Sequence, residues 1–274
     1  MSKIIITAAI SGAEVTQEMN PAVPYTVDEF VREAKSAADA GAAIIHLHAR
    51  HDDGTPTQDK ERFRQLIDAI QEACPKVIIQ PSTGGATGMT ATERLQPTEL
   101  NPEMASLDCG TMNFGGDEIF VNTENMIIEF AARMRERNIK PELECFDKSH
   151  IDMALRLVNQ GHIDRPLHFN LVLGVNGGAA ATPRDLLFMR HSLPPDASFT
   201  VTAMGRQQLP LNVMAMAMGG HPRTGFEDNL QYSRRVNATS NGELVARLVR
   251  IAKEMNLDIA SPDEAREMLQ LPAR

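Results

Sequence analysis

Short apolar runs alternate with longer amphipathic segments along the whole of this chain. The runs are rich in β-branched residues, and the segments between them carry apolar residues at helical spacing. We place strands at residues 4–10, 42–48, 77–81, 104–109, 142–146, 167–173, 198–203 and 218–221, and helices at 27–40, 60–73, 123–138, 151–160, 242–255 and 262–269. This alternation over 274 residues predicts a (β/α)8 TIM barrel, an α/β fold formed as a single domain of residues 1–274. An open, doubly wound sheet is the alternative.

Polar residues gather where the predicted strands end. The active sites of (β/α)8 barrels lie at the C-terminal ends of the strands, because the loops that follow them meet there. The sequence therefore predicts a functional site at this rim. Its candidate residues are Glu14, His46, His48, Ser82, Ser106, Asp108, Glu144, Asp147, Asn170, Arg206, Arg223, Glu227 and Asp228.

The composition argues against several classes of partner. The formal net charge of −9 disfavours nucleic acid and anionic membranes. Tryptophan is absent, and no apolar stretch reaches the roughly 20 residues of a membrane span. The cysteines Cys74, Cys109 and Cys145 are odd in number, widely spaced and not in CxxC pairs, which argues against a disulfide framework and a cysteine-based zinc finger. We therefore expect a cytoplasmic protein that acts on small molecules, with no nucleic acid or membrane partner.

Two histidines follow the second predicted strand. His46 and His48 are two residues apart, so both imidazoles project from the same face of the strand. Two imidazoles and one carboxylate form a common catalytic ligand set for zinc, and Glu227 is the candidate third ligand. The pair alone is equally compatible with a structural role, and His221 is a weaker rival ligand.

A guanidinium stands close to two adjacent carboxylates in the segment Arg223-Thr-Gly-Phe-Glu227-Asp228. Adjacent residues point in different directions, so Glu227 and Asp228 are expected to have different roles. An arginine beside a carboxylate fixes its orientation and stabilises its charge. A solvated surface ion pair is the alternative for this cluster.

Two glycine-containing loops also follow strands, at residues 82–85 and 174–178. Ser82 and the exposed amides up to Gly85 offer donors for a carboxylate or phosphate oxygen. It is equally compatible with the sequence that the glycines only allow the chain to turn and that the loop binds no ligand. Neither loop matches a P-loop or a dinucleotide-binding fingerprint.

Seven stretches, in order along nearly the whole chain, resemble the β-keto acid cleavage enzymes. They are ITAAISGAE, GAAIIHLHARHDDGTPTQ, IIQPSTGGATG, ASLDCGTMNFG, PELECFD, NLVLGVNGG and GGHPRTGFEDN. The resemblance implies a zinc-dependent (β/α)8 barrel that converts a β-keto acid and acetyl-CoA into acetoacetate and a new acyl-CoA. It also implies a homo-oligomer, most simply a tetramer.

The same resemblance implies roles for individual residues. His46, His48 and Glu227 fall on the metal ligands, and Asp228 falls on the general base, held by Arg223. The substrate-binding positions are occupied by Glu14, Ser82, Gly85, Ser106 and Glu144. Asp108 stands where the family commonly has Asn, and Arg206 and Lys148 are candidates for contacts to acetyl-CoA.

The acid at Glu14 bears on the substrate. A carboxylate buried there would be costly without a cationic partner, which favours an amino-bearing β-keto acid, 3-keto-5-aminohexanoate being the expected example. The alternatives within enzymes are a metal-dependent aldolase or an amidohydrolase, the latter because His168 and His221 lie on later strands. The non-enzymatic alternative is a metabolite-binding barrel with a structural zinc.

Overall fold

A computed structural model describes residues 3–272 of the chain. Eight parallel strands form its central sheet. In chain order they are β1 (Thr7–Ala9), β2 (Ile44–Leu47), β3 (Ile78–Pro81), β4 (Met104–Asp108), β5 (Lys140–Cys145), β6 (His168–Leu173), β7 (Ser198–Ala203) and β8 (His221–Thr224).

Each strand lies beside the next one in the chain, and β1 pairs with β8 through the register of Thr7 with Arg223. Between β3 and β4 the closure is made by side chains. The Thr83 backbone N–H donates to Ser106 Oγ at 3.0 Å, and the Thr83 hydroxyl donates to the Ser106 carbonyl at 2.7 Å. The (β/α)8 prediction is confirmed, and the doubly wound alternative is wrong because the first and last strands are neighbours.

Helices follow the strands and surround the barrel. They are α1 (Val27–Ala40), α2 (Lys60–Ala73), α3 (Ala91–Leu95), α4 (Glu124–Glu136), α5 (Lys148–Asn159), α6 (Pro183–His191), α7 (Gln208–Ala217), α8 (Asn241–Glu254) and α9 (Pro262–Leu269). Thr26 opens α1 with a capping box closed by Glu29. The rim residue Asp147 caps α5 by accepting a hydrogen bond from the Ser149 N–H.

Short elements complete the chain. Lys3–Ile4 pairs with Asp258–Ile259 at the N-terminal face of the barrel, and 3-10 turns span Gln96–Leu100 and Gly205–Gln207. Three small antiparallel pairs lie in the loops, joining Ala49–Arg50 to Pro56–Thr57, Met112–Gly115 to Glu118–Phe120, and Gln231–Ser233 to Val236–Asn237. Within residues 3–272 no helix is long and apolar enough to cross a bilayer.

The apolar core lies between the outer faces of the strands and the helices. Phe30 and Phe63 from α1 and α2 pack there in one cluster, and Phe130 from α4 packs in another. Inside the barrel the side chains are largely polar, as Glu142 and His168 illustrate by pairing at 3.2 Å. The hydrophobic stabilisation therefore comes mainly from the strand–helix layer, which leaves the interior free to hold polar groups.

Several element boundaries differ from the sequence-based expectations. The predicted strand 4–10 is divided, because residues 3–4 pair with a C-terminal segment while Thr7–Ala9 joins the barrel. The eighth strand is His221–Thr224 rather than 218–221, so His221 begins it. Helices α3, α6 and α7 were not predicted. Met214, Met216 and Met218 lie on or directly after α7, where they pack against the core.

Candidate metal and substrate site

A cavity of about 500 Å³ opens at the C-terminal ends of the strands. It has a polar side that contains most of the predicted rim residues and an apolar side that was not predicted. The polar lining comprises Glu14, His48, Ser82, Gly84, Gly85, Thr87, Asp108, Glu118, Glu144, Asn176, Arg223 and Glu227; the apolar lining is Ala13, Phe114, Gly115, Phe120, Phe146, Val172, Val175 and Met204.

His46, His48 and Glu227 converge at this cavity. His46 Nε2 lies 3.7 Å from Glu227 Oε2, and His48 Nε2 lies 3.6 Å from Glu227 Oε1. Burial lowers the pKa of both histidines, that of His46 to about 4, so both imidazoles are held in the neutral form that binds metals. Among residues 3–272, this is the one group of three or more His, Cys, Asp or Glu side chains whose possible ligand atoms lie close enough together to hold a metal ion.

This donor set fits a divalent metal. Bonds of roughly 2.1 Å in a tetrahedral shell place ligand atoms about 3.4 Å apart, close to the spacings of the two histidine nitrogens from Glu227. Glu227 Oε2 is buried and has no hydrogen-bond partner among the described residues, as expected of an atom whose partner is a cation. Three protein ligands beside a cavity leave a coordination position for a substrate.

The backbone around Glu227 explains how the carboxylate reaches the histidines. Gly225, with a φ of +140°, lies so close to β1 that a Cβ there would stand 2.1 Å from the Ala9 carbonyl oxygen. A Cβ on Gly12 would similarly lie 2.6 Å from Glu227 Cγ. These two glycines allow the loop after β8 to cross the end of β1, and the Glu227 N–H donates to the Ala9 carbonyl at 3.2 Å.

Arg223 is buried beneath the cavity and holds three carboxylates. Its Nε and a terminal nitrogen donate to the two oxygens of Asp228 at 3.1 and 3.0 Å. Its terminal nitrogens also donate to Glu227 and, at 3.3 Å, to Glu144. The pair of hydrogen bonds from Arg223 to the two oxygens of Asp228 fixes the plane of that carboxylate.

The two neighbouring carboxyl groups have opposite acidities. Burial raises the pKa of Glu227, but Arg223 and both histidines outweigh it and lower the pKa to about 2. Burial raises the pKa of Asp228 to about 6, despite the opposing charge of Arg223. Glu227 is thus suited to remain an anionic ligand, and Asp228 is suited to accept a proton near neutral pH.

A second carboxyl pair lies across the cavity. Asp108 and Glu144 are register partners on β4 and β5. Burial raises the pKa of both, and for Glu144 the proximity of Asp108 raises it further. Arg94, which was not predicted, is buried with a terminal nitrogen 3.3 Å from Asp108 Oδ2. This arginine comes from the short helix α3, whose place beside β4 the sequence pattern did not show.

The predicted substrate-binding residues have different positions. Ser82 and Gly85 line the cavity, and Ser82 Oγ accepts a hydrogen bond from the Gly84 N–H, which leaves its own hydrogen available to a ligand. Glu14 also lines the cavity, but it is exposed at the rim rather than buried. The expectation of a costly buried carboxylate at Glu14 is therefore wrong, since solvent reaches it. Ser106 is fully buried, is absent from the cavity lining and takes part in barrel closure.

The alternative metal ligands and the candidates for acetyl-CoA contacts lie outside the cavity lining. His221 Nδ1 accepts a hydrogen bond from the Ile5 N–H, and His168 contacts Glu142, so both are engaged deeper in the barrel. Arg206 is exposed outside the cavity lining, and Lys148 forms an exposed ion pair with Asp152. The structure brings neither of these two candidates for acetyl-CoA contacts into the cavity.

Gln80 on β3 was also missed by the sequence reasoning. Its Oε1 lies 2.8 Å from His46 Nδ1, and its side chain is fully buried. The available signal was a polar residue within the apolar strand IIQP, next to the strand that carries the histidines.

This chain is similar in sequence and in fold to known proteins. The 3-keto-5-aminohexanoate cleavage enzyme of Acetoanaerobium sticklandii is 66% identical over 269 residues, which cover 98% of each chain. The 3-oxoadipate:acetyl-CoA acetyltransferase of Cupriavidus necator is 38% identical, over 98% of this chain and 95% of that one. The fold matches a solved apo structure of ObcA with a TM-score of 0.79 at 20% identity, covering 92% of this chain and 66% of that one.

A sequence model of the β-keto acid cleavage enzymes matches residues 3–271, which is nearly the entire chain. The matched range spans every strand of the barrel. The chain therefore belongs to the β-keto acid cleavage enzyme family.

Proposed function

We propose that this protein converts an amino-bearing β-keto acid, 3-keto-5-aminohexanoate, and acetyl-CoA into acetoacetate and 3-aminobutyryl-CoA. The observation that carries the proposal is a cavity lined by His48, Glu227 and Arg223, where the His46–His48–Glu227 metal site lies beside the arginine that holds the buried Asp228 carboxylate. The names of the two relatives support the keto acid and the acetyl donor.

The residues supply a proton acceptor and a place for the substrate. A zinc ion held by His46, His48 and Glu227 would supply a Lewis acid toward the oxygens of the β-keto acid. Asp228 is the proposed base, which takes a proton from the carbon between the carboxylate and the keto group. Arg223 holds its carboxylate in a fixed plane for that transfer. Ser82 and the Gly85 loop are the proposed donors to the substrate carboxylate.

The proposed reaction exchanges acyl groups between the β-keto acid and acetyl-CoA. A bond forms between the substrate's C2 and the acetyl carbonyl carbon, and the thiolate of CoA leaves. The thiolate then adds to the original keto carbon. The bond between that carbon and C2 breaks, and a proton returns to C2. Asp228, which holds the proton taken at the first step, is the proposed donor for that return, so its carboxylate is restored at the end of the cycle.

The charge of the cavity supports a cationic substrate. Its lining carries the carboxyl groups of Glu14, Asp108, Glu118, Glu144 and Glu227 together with Arg223, while Arg94, outside the lining, pairs with Asp108. A bound metal and Arg223 balance part of this charge at the depth of the cavity, where Glu227 and Glu144 lie. Glu14 and Glu118 stand nearer solvent without an arginine in the lining, which favours an ammonium group at the outer end of the substrate.

The remaining predictions rest on the family resemblance. They are that zinc is the metal bound in the cell, that the enzyme is a cytoplasmic homotetramer, and that it acts in lysine degradation. A non-catalytic barrel with a structural zinc is disfavoured by the three-ligand set, since structural sites use four protein ligands.

The test is a coupled substrate and metal assay. Purified enzyme is incubated with acetyl-CoA and either 3-keto-5-aminohexanoate or 3-ketohexanoate, which differ only in the amino group. Acetoacetate and the new acyl-CoA are measured before chelation, after chelation and after zinc is returned. We expect formation of both products to require acetyl-CoA, to stop on chelation and to return with zinc.

We also expect the amino substrate to have a kcat/KM at least about tenfold higher, which corresponds to about 1.4 kcal/mol. Product formation from the keto acid without acetyl-CoA would instead indicate an aldolase or hydrolase. Equal kcat/KM values for the two substrates would refute the amino-group assignment alone.

A further inference from the structure

We infer that Gln80 is a positioning residue that holds His46 in the one tautomer able to bind a metal. The inference rests on the proposed function in that it concerns the same metal site. It adds a residue that none of the expected roles includes.

The geometry of the contact sets the proton on His46. Gln80 Oε1 lies 2.8 Å from His46 Nδ1, while His46 Nε2 faces Glu227 Oε2 at 3.7 Å. A carbonyl oxygen can only accept, so Nδ1 must carry the hydrogen. The Nε2 lone pair then points toward the position shared with Glu227 and His48. The opposite tautomer would place a hydrogen on Nε2 and block coordination there.

The backbone places Gln80 for this contact. His46 on β2 and Gln80 on β3 are register partners in adjacent parallel strands, so their side chains enter the barrel interior side by side. Residues on both sides of Gln80, Ile79 and Pro81, are buried strand residues, which fixes the backbone. A short strand with buried neighbours leaves the amide little freedom to move away.

The burial of Gln80 indicates what the residue is for. Its side chain is 0% exposed, and its Nε2 has no hydrogen-bond partner among residues 3–272. A buried amide with an unpaired donor costs stability, and leucine would fill the same volume without that cost. The hydrogen bond with His46 is therefore the interaction that explains why a glutamine, rather than an apolar residue, occupies this buried position.

The two histidine ligands differ in this respect. His46 is 1% exposed and has Gln80 as a partner, whereas His48 lies nearer the cavity with its side chain 11% exposed. Hydrogen bonds from metal-binding histidines to neighbouring groups typically change metal affinity or activity by 10–100-fold when removed. His46 is the ligand for which such a contact is built into the barrel wall.

The experiment compares three single variants with the wild type. Gln80→Leu removes the acceptor at nearly constant volume, Gln80→Glu keeps an acceptor, and Gln208→Leu is the matched control. Gln208 is another buried glutamine with an unpaired Nε2, and its Oε1 accepts from the Thr224 hydroxyl instead of contacting a metal ligand. Zinc affinity is measured by competition with a chromophoric chelator. The histidine tautomers of the metal-free proteins are measured by long-range ¹H–¹⁵N NMR.

We expect Gln80→Leu to raise the zinc Kd by about 10–100-fold and to lose the pure Nδ1–H signature of His46. Gln80→Glu should retain that signature and an affinity closer to the wild type, and Gln208→Leu should match the wild type in both. A wild-type zinc Kd and an unchanged tautomer in Gln80→Leu would overturn the inference.

The two proposals fail separately. If the wild type bound no zinc, the proposed function would be lost, and the tautomer of metal-free His46 would still decide the role of Gln80. If Gln80→Leu did not fold, Gln80→Met would replace it, with the same expected and contradicting results.

Discussion

Arg223 separates the roles of two carboxylates that are adjacent in the chain. It contacts both Glu227 and Asp228, yet the pKa of Glu227 is lowered to about 2 while that of Asp228 is raised to about 6. Burial raises both values. For Glu227, the charge of Arg223 together with the proximity of His48 and His46 outweighs burial, whereas for Asp228 the neighbouring charge of Glu227 adds to the effect of burial on the pKa. The surroundings of each carboxylate, rather than its residue type, set its acidity.

The role of Asp228 leads to a prediction about turnover. We expect Asp228→Asn to lower kcat by roughly 10²–10⁴-fold, because the amide cannot accept the proton. The zinc Kd should change little, since Asp228 is not among the three converging ligands. Steady-state kinetics and chelator competition measure the two effects.

Asp196→Asn is the matched control for this variant. Asp196 forms an exposed ion pair with Arg165, so its removal should leave both quantities near the wild type. Retention of more than a tenth of the wild-type kcat in Asp228→Asn would assign the proton transfer to another group.

Individual residues show how far sequence reasoning reaches. The pairing of His46 and His48 with Glu227 was predicted, since strand periodicity fixes which way the histidines point, and the structure brings the three together. The contact of Gln80 with His46 was not, because it depends on the register between two strands. The exposure of Glu14 depends on the path of a loop, which the sequence pattern does not determine.

At the scale of elements, composition explains which ones were missed. The last barrel strand contains Pro222, which has no N–H and reads as a strand breaker, so the predicted strand ended too early. Helix α7 carries Pro210 in its first turn, where a missing N–H is tolerated, and alternating methionines that imitate a strand. Packing against the core overrides both local signals. Long helices such as α1 and α8, which have clear caps and apolar spacing, were predicted within one residue.

The junction between β3 and β4 leads to a prediction about stability. Ser106→Ala removes the acceptor for the buried Thr83 N–H, and we expect a loss of about 1–3 kcal/mol in the free energy of unfolding. Urea denaturation measures this change. The same variant measures the predicted contact of Ser106 with substrate, which would appear as a raised KM.

Ser192→Ala is the control for the junction. Its hydroxyl donates to the Phe188 carbonyl at an exposed helix end, so its removal should change stability by less than about 0.5 kcal/mol. Equal stability of Ser106→Ala and Ser192→Ala would show that the hydrogen bond to Ser106 Oγ contributes nothing to barrel closure.

Across the whole molecule, the alternation of strands and helices was sufficient to predict the barrel, because eight such units have one common closed arrangement. The sequence pattern did not predict that the interior of the barrel is polar. Glu142, His168 and His221 lie on three different strands, and their proximity follows only from closure of the sheet. Because these groups become solvated only when the whole barrel opens, the free-energy cost of burying them should lower the free energy of global unfolding.

His221 makes that cost depend on pH. Burial and, to a smaller extent, His168, whose ring centre is 6.1 Å away, lower its pKa to about 3 against the opposing charge of Glu142. Above about pH 6.5 the imidazole is neutral in both the folded and the unfolded chain, so it adds no pH dependence. Below that value the unfolded chain binds a proton that the folded one does not. The free energy of unfolding should therefore fall, by about 2 kcal/mol from this group between pH 7 and pH 5.

The measurement is urea denaturation at pH 7 and pH 5 of the wild type, His221→Asn and His191→Asn. Asparagine can still accept from the Ile5 N–H, but it does not titrate, so His221→Asn should lose about 2 kcal/mol less than the wild type on acidification. His191 is exposed on α6 and serves as the control, with a pH dependence expected to follow the wild type. If His221→Asn lost as much stability as the wild type between the two pH values, the acid sensitivity of the barrel would have to come from other groups. The remaining histidines whose pKa is lowered by burial are His46 and His48 at the metal site and His150 on α5, and they would be the next candidates.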